Sequence, residues 1–335
     1  MYVRGLTRKE RKISRILVAG AGGFIGGHLV GVLEKQGLEV VACDIKPHEE
    51  WFQLPKNSTP IIADLRDKSN CLSFTQNVDQ VFNLACDMGG MGFIENNKAK
   101  CMESVLINTH LLLAACQLGV KKYFFSSSAC VYASNHQGVA SENPLEESFA
   151  YPANPEDGYG WEKLFSERFC RNFFEDYGIK TYVARYHNVY GPFGTFEGGR
   201  EKVPAAACRK MIEYKLGQID EIEIWGDGNQ VRSFTYINDC LTGTMKLLDT
   251  DFHFPLNIGS SEAVTIRALY DQVAIVAGLD PKQVKYKYVL SAPQGVRGRS
   301  SDNTLCNEVL NWEPNTRLDI GLRSTFDWIQ NQITL

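Results

Sequence analysis

Residues 15–26 read Arg15-Ile16-Leu17-Val18-Ala19-Gly20-Ala21-Gly22-Gly23-Phe24-Ile25-Gly26. The first five residues form a short apolar run typical of a buried strand, and a helical pattern follows from residue 24. Glycines at 20, 23 and 26 permit a tight turn, close approach of the backbone to a pyrophosphate, and close packing of helix on strand. The helix N-terminus adds N–H donors and a positive dipole. This stretch predicts a strand–turn–helix unit that can hold a dinucleotide.

Asp44 strengthens that prediction, since it ends the second predicted strand, where a carboxylate binds ribose hydroxyls. A carboxylate there repels a 2′-phosphate, so NAD is favoured over NADP, although Lys46 lies two residues away. Phe24 and Ile25 belong to the glycine turn and are assigned with it to the cofactor. Asp64, at the end of the third predicted strand, either contacts the adenine or caps the next helix.

Strand and helix alternate from residue 15 to residue 186. Repeated β-α-β units of this kind imply an α/β fold, a doubly wound parallel sheet of the Rossmann type. The alternation ends after residues 191–194, which predicts a smaller C-terminal α/β lobe that binds substrate. The predicted domains are an N-terminal extension (1–14), an NAD-binding Rossmann domain (15–190) and mainly this lobe (191–335), with the chain able to cross between lobes. Strands are expected at 15–20, 38–44, 60–63, 81–85, 122–125 and 181–186, and helices at 24–36, 68–77, 98–118 and 158–177.

Composition sets the class of protein. The 335 residues are 44% hydrophobic and 22% charged, with a net charge of −4, as in an ordinary globular protein. No basic run argues for nucleic acid or membrane, no apolar run approaches about 20 residues, and the polar start does not resemble a secretory signal. Ten cysteines without Cys-x-x-Cys spacing favour reduced thiols in a cytoplasmic protein and no metal site.

A second stretch carries candidate chemistry. Tyr159 and Lys163 are four residues apart and share one helix face. An ammonium beside a phenol favours the phenolate, so the pKa of Tyr159 is expected below the ordinary value of about 10. Ser128 and Cys130 follow the apolar run 123–125, and open α/β sheets place their chemistry at strand ends. A surface Tyr–Lys pair would explain this spacing equally well; the glycine turn upstream favours a site.

Several uncommon motifs occur in order between residues 15 and 328 and resemble those of the extended short-chain dehydrogenase/reductase family of nucleotide-sugar enzymes. Within that family, residues 87–94, 198–204 and 295–303 and Ser128-Ala129-Cys130 are similar to the GDP-mannose 3,5-epimerase branch. The 4-epimerases usually carry Thr at the position of Cys130, and the 4,6-dehydratases carry an Asp-Glu pair. The wider family motifs are the glycine turn, Asp44, residues 127–132, Tyr159-x-x-x-Lys163, residues 188–192 and residues 226–234.

The resemblance implies conversion of GDP-D-mannose to GDP-L-galactose and to the C5 epimer GDP-L-gulose, supplying L-ascorbate or cell-wall sugars. Transient oxidation at C4 by bound NAD makes the C3 and C5 protons acidic. Tyr159 would be the base for that oxidation, with Lys163 lowering its pKa and holding the nicotinamide ribose, and Ser128 bonded to the same hydroxyl. Cys130 and Lys202 are the implied acid–base pair at C3 and C5.

The resemblance also assigns the substrate contacts. Each of these residues also has an explanation without a role in binding or catalysis. Cys130 could be a small buried hydrophobic residue, Lys202 a solvated surface charge, and Gly89 a residue that only shapes its loop. The arginines at 232 and 299 could lie on the surface. Ser233 departs from the Asp that 4-epimerases often have after the arginine. The assigned contacts are Gly89, Ser128, Ala129, Cys130, Tyr159, Asn188, Glu201, Lys202, Val203, Lys210, Gln230, Val231, Arg232 and Arg299.

The resemblance also implies a homodimer, formed by helices 98–118 and 158–177 packed as a four-helix bundle. Alternative functions are a UDP-sugar 4-epimerase, another nucleotide-sugar oxidoreductase of the same fold, and an NAD-binding sensor without catalysis. A sensor would keep the glycine turn but need no Tyr–Lys pair. Apolar residues on these helices either supply the dimer contact or, equally well, face the sheet; they include Leu106, Leu111, Leu112, Phe165 and Phe169.

Overall fold

The computed structural model of the chain describes residues 14–139 and 144–334, so the N-terminal extension, apart from Ser14, lies outside the described residues. The strands within these residues are β1 (Arg15–Ala19), β2 (Glu39–Asp44), β3 (Pro60–Ile62), β4 (Gln80–Asn83), β5 (Lys122–Ser128), β6 (Lys180–Tyr186), β7 (Val189–Tyr190), β8 (Ile222–Trp225), β9 (Val231–Ser233), β10 (Thr235–Tyr236), β11 (Pro255–Ile258), β12 (Ala263–Thr265), β13 (Tyr286–Val289) and β14 (Gly298–Arg299).

The helices lie between these strands in the alternation that the sequence predicts. They are α1 (Phe24–Lys35), α2 (Lys68–Phe74), α3 (Met91–Asn96), α4 (Lys98–Met102), α5 (Ser104–Leu118), α6 (Tyr159–Tyr177), α7 (Val203–Lys215), α8 (Ile237–Leu248), α9 (Ile266–Val276), α10 (Thr304–Leu310) and α11 (Leu318–Thr334), with short 3-10 helices at His48–Glu50, Ala129–Val131, Ser134–His136 and Glu147–Ala150.

Seven strands form one parallel sheet in the order β11-β6-β5-β4-β1-β2-β3. The chain winds outward in one direction from β1 to β3 and in the other from β4 to β11. Crevices at such a reversal, outside the carboxyl ends of the strands, are where open α/β sheets bind ligands. The predicted Rossmann-type fold is confirmed.

Both faces of the sheet are covered, because alternate strand residues point to opposite sides. Phe124 packs in the core beneath α1, α8 and α10. Its neighbours Tyr123 and Phe125 pack in the opposite core, with residues of α5 and α6. All three aromatic side chains are buried, so both faces of β5, an interior strand of the sheet, are covered.

The smaller lobe has its own core. Helices α7, α9 and α11 pack around Met211, Leu269 and Phe326, beside the pairs β8–β13 and β9–β12. Strand β11, by contrast, joins the large sheet, and α8 and α10 pack on that sheet. Residues 191–335 are therefore shared between the two lobes, and the chain crosses between them.

Strand β5 is longer than the predicted strand 122–125. Ser126, Ser127 and Ser128 continue the parallel pairing with Ala184, Arg185 and Tyr186 of β6. Strand β6 lies beside these serines, and its backbone can pair with theirs because the backbone hydrogen bonds of a sheet do not require apolar side chains. The serines are therefore held on rigid backbone and not on a loop.

The predicted helix 98–118 is interrupted at Glu103, which separates α4 from α5. By length and composition alone, Lys98–Leu118 is long and apolar enough to cross a membrane, which corrects the expectation that no apolar run approaches that length. Core helices of globular proteins pass the same test. Here Leu111 and Leu112 are buried against the sheet.

Candidate active site

The glycine turn joins β1 to α1 and has little room for side chains. Gly20 has a φ of +86°, in the left-handed region, and its N–H donates to the Cys43 carbonyl at 2.8 Å. A Cβ at Gly26 would overlap the Gly20 carbonyl oxygen. Helix α1 begins after Gly23, whose position carries no side-chain cap. Its first N–H groups are therefore open to an anionic group, as a pyrophosphate requires.

Asp44 lies at the rim of this turn and is buried. One of its carboxylate oxygens accepts from the Gly22 N–H at 3.0 Å and the other from the Lys46 N–H at 3.0 Å. The Lys46 ammonium donates to the Gly22 carbonyl at 3.2 Å. The carboxylate thus has the position that the sequence predicts for ribose binding, and the nearby ammonium is engaged by the turn itself.

Asp64 follows β3 and pairs with Arg66, whose Nη2 lies 2.8 Å from a carboxylate oxygen. Helix α2 is capped by Asp67, which accepts from the Ser69 N–H. The capping alternative for Asp64 is therefore wrong. Contact with the adenine stays a prediction.

Tyr159 opens α6 and Lys163 lies one turn further along the same face. The Lys163 Nζ is 5.4 Å from the centroid of the Tyr159 ring and 4.7 Å from that of Phe125. The Lys163 side chain is 1% exposed and lies 3.5 Å from the Glu162 carboxylate. No hydrogen-bond partner for its Nζ occurs among the described residues. A buried ammonium with open donors fits a ligand group such as a ribose hydroxyl.

The predicted lowering of the Tyr159 pKa by Lys163 is wrong for this structure. Burial raises the pKa of the Tyr159 phenol well above its ordinary value, and the Cys86 and Cys130 thiols act in the same direction. Burial alone would lower the pKa of Lys163, but Cys86 and Glu162 raise it on balance. The Lys163 ammonium thus interacts with the Glu162 carboxylate beside it, and the raised pKa of Tyr159 favours the protonated phenol.

The segment after β5 is held tightly against α6. The Ser127 hydroxyl donates to Glu167 on α6, and Glu167 accepts two hydrogen bonds from Arg185, at 2.9 and 2.7 Å. A Cβ at Gly160 would overlap the Cys130 carbonyl oxygen. Glycine at position 160 therefore allows α6 to approach closely, which brings Tyr159 beside Cys130.

Cys130 lies in the 3-10 helix after β5 and is 7% exposed. Its N–H donates to the Ser128 hydroxyl at 3.2 Å, and its Sγ accepts from Arg299 Nη1 at 3.3 Å. Burial raises the pKa of the Cys130 thiol, Glu156 adds to this, and the Arg299 charge opposes it. A thiol bonded to a guanidinium is more than a space-filling group, and in this structure it is protonated.

Lys202 immediately precedes α7 and is partly buried. Burial lowers the pKa of its ammonium, while the Cys130 and Cys86 thiols act in the opposite direction. Electrostatic interaction with these thiols puts the amine within range of Cys130, which disfavours a solvated surface charge. Direct contact of Lys202 with Cys130, and their action as an acid–base pair, stay predictions.

The loop that carries Lys202 packs on the loop that carries Gly89. The Gly90 N–H donates to the Arg200 carbonyl at 3.0 Å, and Arg200 Nη1 lies 2.6 Å from the Asp87 carboxylate. A Cβ at Gly89 would lie 2.8 Å from the Phe93 Cβ. Packing alone thus explains this glycine, and its contact with substrate stays a prediction. Two sequence motifs about a hundred residues apart form one wall of the site.

Arg232 and Arg299 are both in this region. Arg232 donates to the backbone carbonyls of Val231, Gln294 and Val296, and burial lowers its pKa to about 9. A guanidinium held by carbonyls keeps its positive charge at neutral pH and suits an anionic ligand. Arg299 is instead engaged by Cys130 and by side chains beside it. Pyrophosphate binding by either arginine stays a prediction.

The other assigned substrate residues mainly support the lobe in this structure. Asn188 donates to the Ser233 carbonyl at 3.0 Å, Lys210 to the Glu223 carbonyl at 2.8 Å, and Glu201 accepts from the Gly199 N–H at 2.7 Å. Ala129 begins the 3-10 helix after β5, Val203 begins α7, and Val231 begins β9. Gln230 is buried, and its Oε1 has no hydrogen-bond partner among the described residues.

A cleft of about 480 Å³ opens beside Cys130. Its lining includes Met91 and Ile94 from the motif at residues 87–94, and Gly295 and Arg299 from the motif at residues 295–303. Glu156 also lines the cleft and accepts from Arg299 Nη2 at 3.2 Å. The cleft therefore gives solvent access to Arg299 and Glu156, the two charged side chains next to Cys130.

Sequence reasoning missed three residues at this site: Cys86, Gln137 and Glu156. Gln137 accepts from Arg299 Nε at 2.6 Å. Glu156 could have been noticed, because a carboxylate three residues before Tyr159 must lie near the start of α6. Cys86 follows β4 at a strand end and packs against the cluster that contains Tyr159 and Cys130.

The ten cysteines all lie within the described residues and are free thiols. Over residues 14–139 and 144–334, no group of three or more His, Cys, Asp or Glu side chains is arranged to hold a metal ion.

A model of the NAD dependent epimerase/dehydratase family matches residues 16–259. The chain belongs to this family. A relative from Oryza sativa subsp. indica, GDP-mannose 3,5-epimerase 1, is 44% identical over 320 residues, 95% of this chain and 82% of the relative. GDP-mannose 3,5-epimerase from Arabidopsis thaliana is also 44% identical over 320 residues, 95% of this chain and 83% of the relative. The resemblance read from the motifs is confirmed.

Among solved structures, the UDP-glucose 4-epimerase of Thermus thermophilus in complex with NAD matches with a TM-score of 0.80 and 25% identity, over 94% of this chain and 99% of that chain. NAD is the cofactor of the NAD dependent epimerase/dehydratase family, and the residues present here fit it. The tight glycine turn with Phe24 and Ile25, the carboxylate of Asp44 and the buried ammonium of Lys163 would hold it.

Proposed function

We propose that this member of the family is an isomerase that inverts C3 and C5 of GDP-D-mannose, giving GDP-L-galactose and, after inversion of C5 alone, GDP-L-gulose. The observation that carries the proposal is the position of Cys130, which packs beside Tyr159 and accepts a hydrogen bond from Arg299. The two relatives at 44% identity, both named GDP-mannose 3,5-epimerases, support it.

The redox step uses the residues at the start of α6. Bound NAD would supply a reversible hydride acceptor for C4 and would not be consumed. Tyr159 takes the proton of the C4 hydroxyl and gives it back. Because burial disfavours its phenolate, Tyr159 needs a positive charge or hydrogen bonds at the moment of transfer. Ser128 and the Lys163 ammonium are the groups placed to supply them.

Inversion of a carbon needs a proton acceptor on one face and a donor on the other. Burial shifts both members of the pair toward their neutral forms: the pKa of the Cys130 thiol is raised and that of the Lys202 ammonium is lowered. A protonated thiol and an amine that loses its proton more easily give the pair one donor and one acceptor near neutral pH. Either C3 or C5 can be served by this arrangement.

Incubation of the purified protein with GDP-mannose, followed by sugar analysis, tests the proposal. We expect GDP-galactose and GDP-gulose to form with no net change in absorbance at the nicotinamide band. Matched incubations with UDP-glucose should give no product. Formation of UDP-galactose would favour a 4-epimerase, net loss of reduced cofactor would indicate a reductase, and no product from any nucleotide sugar would favour a sensor.

We also propose a homodimer through α5 and α6. Leu106 and Phe165 are 44% and 48% exposed and lie on the outer faces of these helices. For Leu111 and Leu112 the structure favours the alternative of a sheet-facing position, because both are fully buried against the sheet. Phe169 packs against that same core and stacks on the Phe165 ring at 5.8 Å.

Phe165→Glu should dissociate this dimer. A two-fold interface contains the change twice, and each lost phenyl group removes at least about 1.5 kcal/mol of burial, so the dissociation constant should rise by about 100-fold or more. Light scattering across micromolar concentrations measures it. Ile320→Glu, an exposed apolar position on α11 that is 57% exposed, is the control and should not change the mass. An unsubstituted protein that is monomeric at these concentrations would contradict the proposal.

A cytoplasmic location, supported by ten free thiols, and a supply of L-ascorbate or cell-wall sugar precursors belong to the same proposal. Cell fractionation and the sugar content of cells lacking the protein test them.

A further inference from the structure

Glu156 lies in the loop before α6 and is connected to Cys130 in two ways, directly through its backbone and indirectly through Arg299. Its N–H donates to the Cys130 carbonyl at 3.0 Å. Its carboxylate accepts from Arg299 Nη2 at 3.2 Å, and Arg299 Nη1 donates to the Cys130 Sγ at 3.3 Å. One guanidinium therefore bridges the thiol and the carboxylate. The side chains of Arg299 and Glu156 are only 7% and 15% exposed, so solvent screens this arrangement weakly.

Other titratable groups also surround the thiol. Two positive side chains are Lys202, at the start of α7, and Arg232, on β9. The phenol of Tyr159 comes from α6, and the thiols of Cys86 and Cys101 belong to the same cluster. The negative charge that acts on Cys130 comes from Glu156.

We propose that Glu156 is a positioning residue for Cys130: its carboxylate, which Arg299 holds close to the thiol, counters the positive charges there and keeps the thiol protonated. Nothing in the family motifs points to this role. Its catalytic meaning rests on the proposed function, since Cys130 can donate a proton only while it carries one.

The sign of the effect follows from the charges. Burial would raise the pKa of the Glu156 carboxyl, but Arg299 and Cys130 lower it on balance, so Glu156 is ionised at neutral pH. A carboxylate near a thiol disfavours the thiolate, and a guanidinium favours it. Removal of the Glu156 charge should therefore make Cys130 ionise at lower pH, and removal of Arg299 should make it ionise at higher pH.

A purely structural role predicts the opposite direction. If Glu156 only anchored Arg299, its loss would loosen the guanidinium and weaken the stabilisation of the thiolate. The pH at which Cys130 ionises would then rise or stay unchanged. The direction of the shift thus separates the two roles.

The experiment is the pH dependence of Cys130 alkylation by iodoacetamide in the full chain, followed by mass spectrometry of the peptide that contains Cys130. The peptide with Cys116, on α5 away from the site, is the internal reference. We expect Glu156→Gln to lower the midpoint by about one pH unit and Arg299→Gln to raise it by a similar amount. Glu156→Asp, which keeps the charge, should stay closer to the wild-type midpoint.

An unchanged or raised midpoint in Glu156→Gln would overturn the proposal. So would a shift in Glu156→Asp as large as that in Glu156→Gln. If the Gln variant is unstable, the Asp variant still decides, because a midpoint raised well above that of the wild type despite the retained charge would indicate a purely structural role. Alkylation is measured without GDP-mannose, so its outcome is independent of whether the proposed epimerisation occurs.

Discussion

Tyr159→Phe should reduce the epimerisation rate by about a thousandfold, because general acid–base groups typically contribute roughly 10²- to 10⁴-fold. Only the hydroxyl is lost, and the ring can still pack against Cys130 in its buried cluster. NAD binding should remain nearly unchanged, since the glycine turn, Asp44 and Lys163 are untouched. Sugar analysis measures the rate, and the cofactor content of the isolated protein measures binding.

Tyr270→Phe is the matched control for that experiment. Tyr270 is also buried, but it lies on α9 in the core of the small lobe. The same chemical change there should leave the rate near that of the wild type. A Tyr159→Phe variant within tenfold of wild type would remove Tyr159 as the base for oxidation at C4.

Much of the fold could be predicted from the sequence, because the decisive signals are local. The glycine turn, the strand before it and Asp44 after the next strand all act within about thirty residues, and periodicity places the helices to within a few residues. The small lobe is less predictable, since β11 joins the large sheet only through its pairing with β6. Such pairing leaves no mark in the local pattern.

The helix faces show a different limit. Leu106, Leu111 and Leu112 are equally apolar in the sequence, yet only Leu106 is exposed on the outer face of α5. Periodicity reveals that a helix has an apolar stripe but not whether the stripe faces the sheet or a second subunit. The structure decides this because the sheet lies on one side.

The fold brings Tyr159, Lys163 and Cys130 together, whereas contact of Lys202 with Cys130 stays a prediction. The electrostatics of the site could not be predicted from the sequence. The contacts that tune them involve Glu162 and Glu156, whose effects depend on burial and distance. The Tyr-x-x-x-Lys spacing predicts a lowered pKa for Tyr159, whereas burial in the folded protein raises this pKa. Long-range contacts such as Arg299 with Cys130 join residues about 170 positions apart, which no local motif reveals.

Cys130→Ala should stop proton exchange at C3 and C5 while the C4 step remains possible. Oxidation at C4 makes the neighbouring C–H groups acidic, but a proton moves quickly only to a positioned group. In deuterated water we therefore expect incorporation at C3 and C5 to fall by about 100-fold or more. Absorbance at the nicotinamide band reports the C4 step separately. Lys202→Met, which keeps the length of the side chain and removes the amine, should have the same effect.

Cys130→Ser sharpens the test because a hydroxyl keeps nearly the size of the thiol but is a much weaker acid. If Cys130 only fills space in its buried pocket, serine or alanine should work almost normally. Acid–base chemistry at Cys130 instead predicts loss of exchange with both replacements, although both variants fold. Cys116→Ser, the same change on α5 away from the site, should exchange like the wild type. Wild-type deuterium incorporation in Cys130→Ala would remove the thiol from the mechanism. The main structural reason for preferring inversion at C3 and C5 over a 4-epimerase would be lost with it, because exchange at these carbons is what a 4-epimerase does not need.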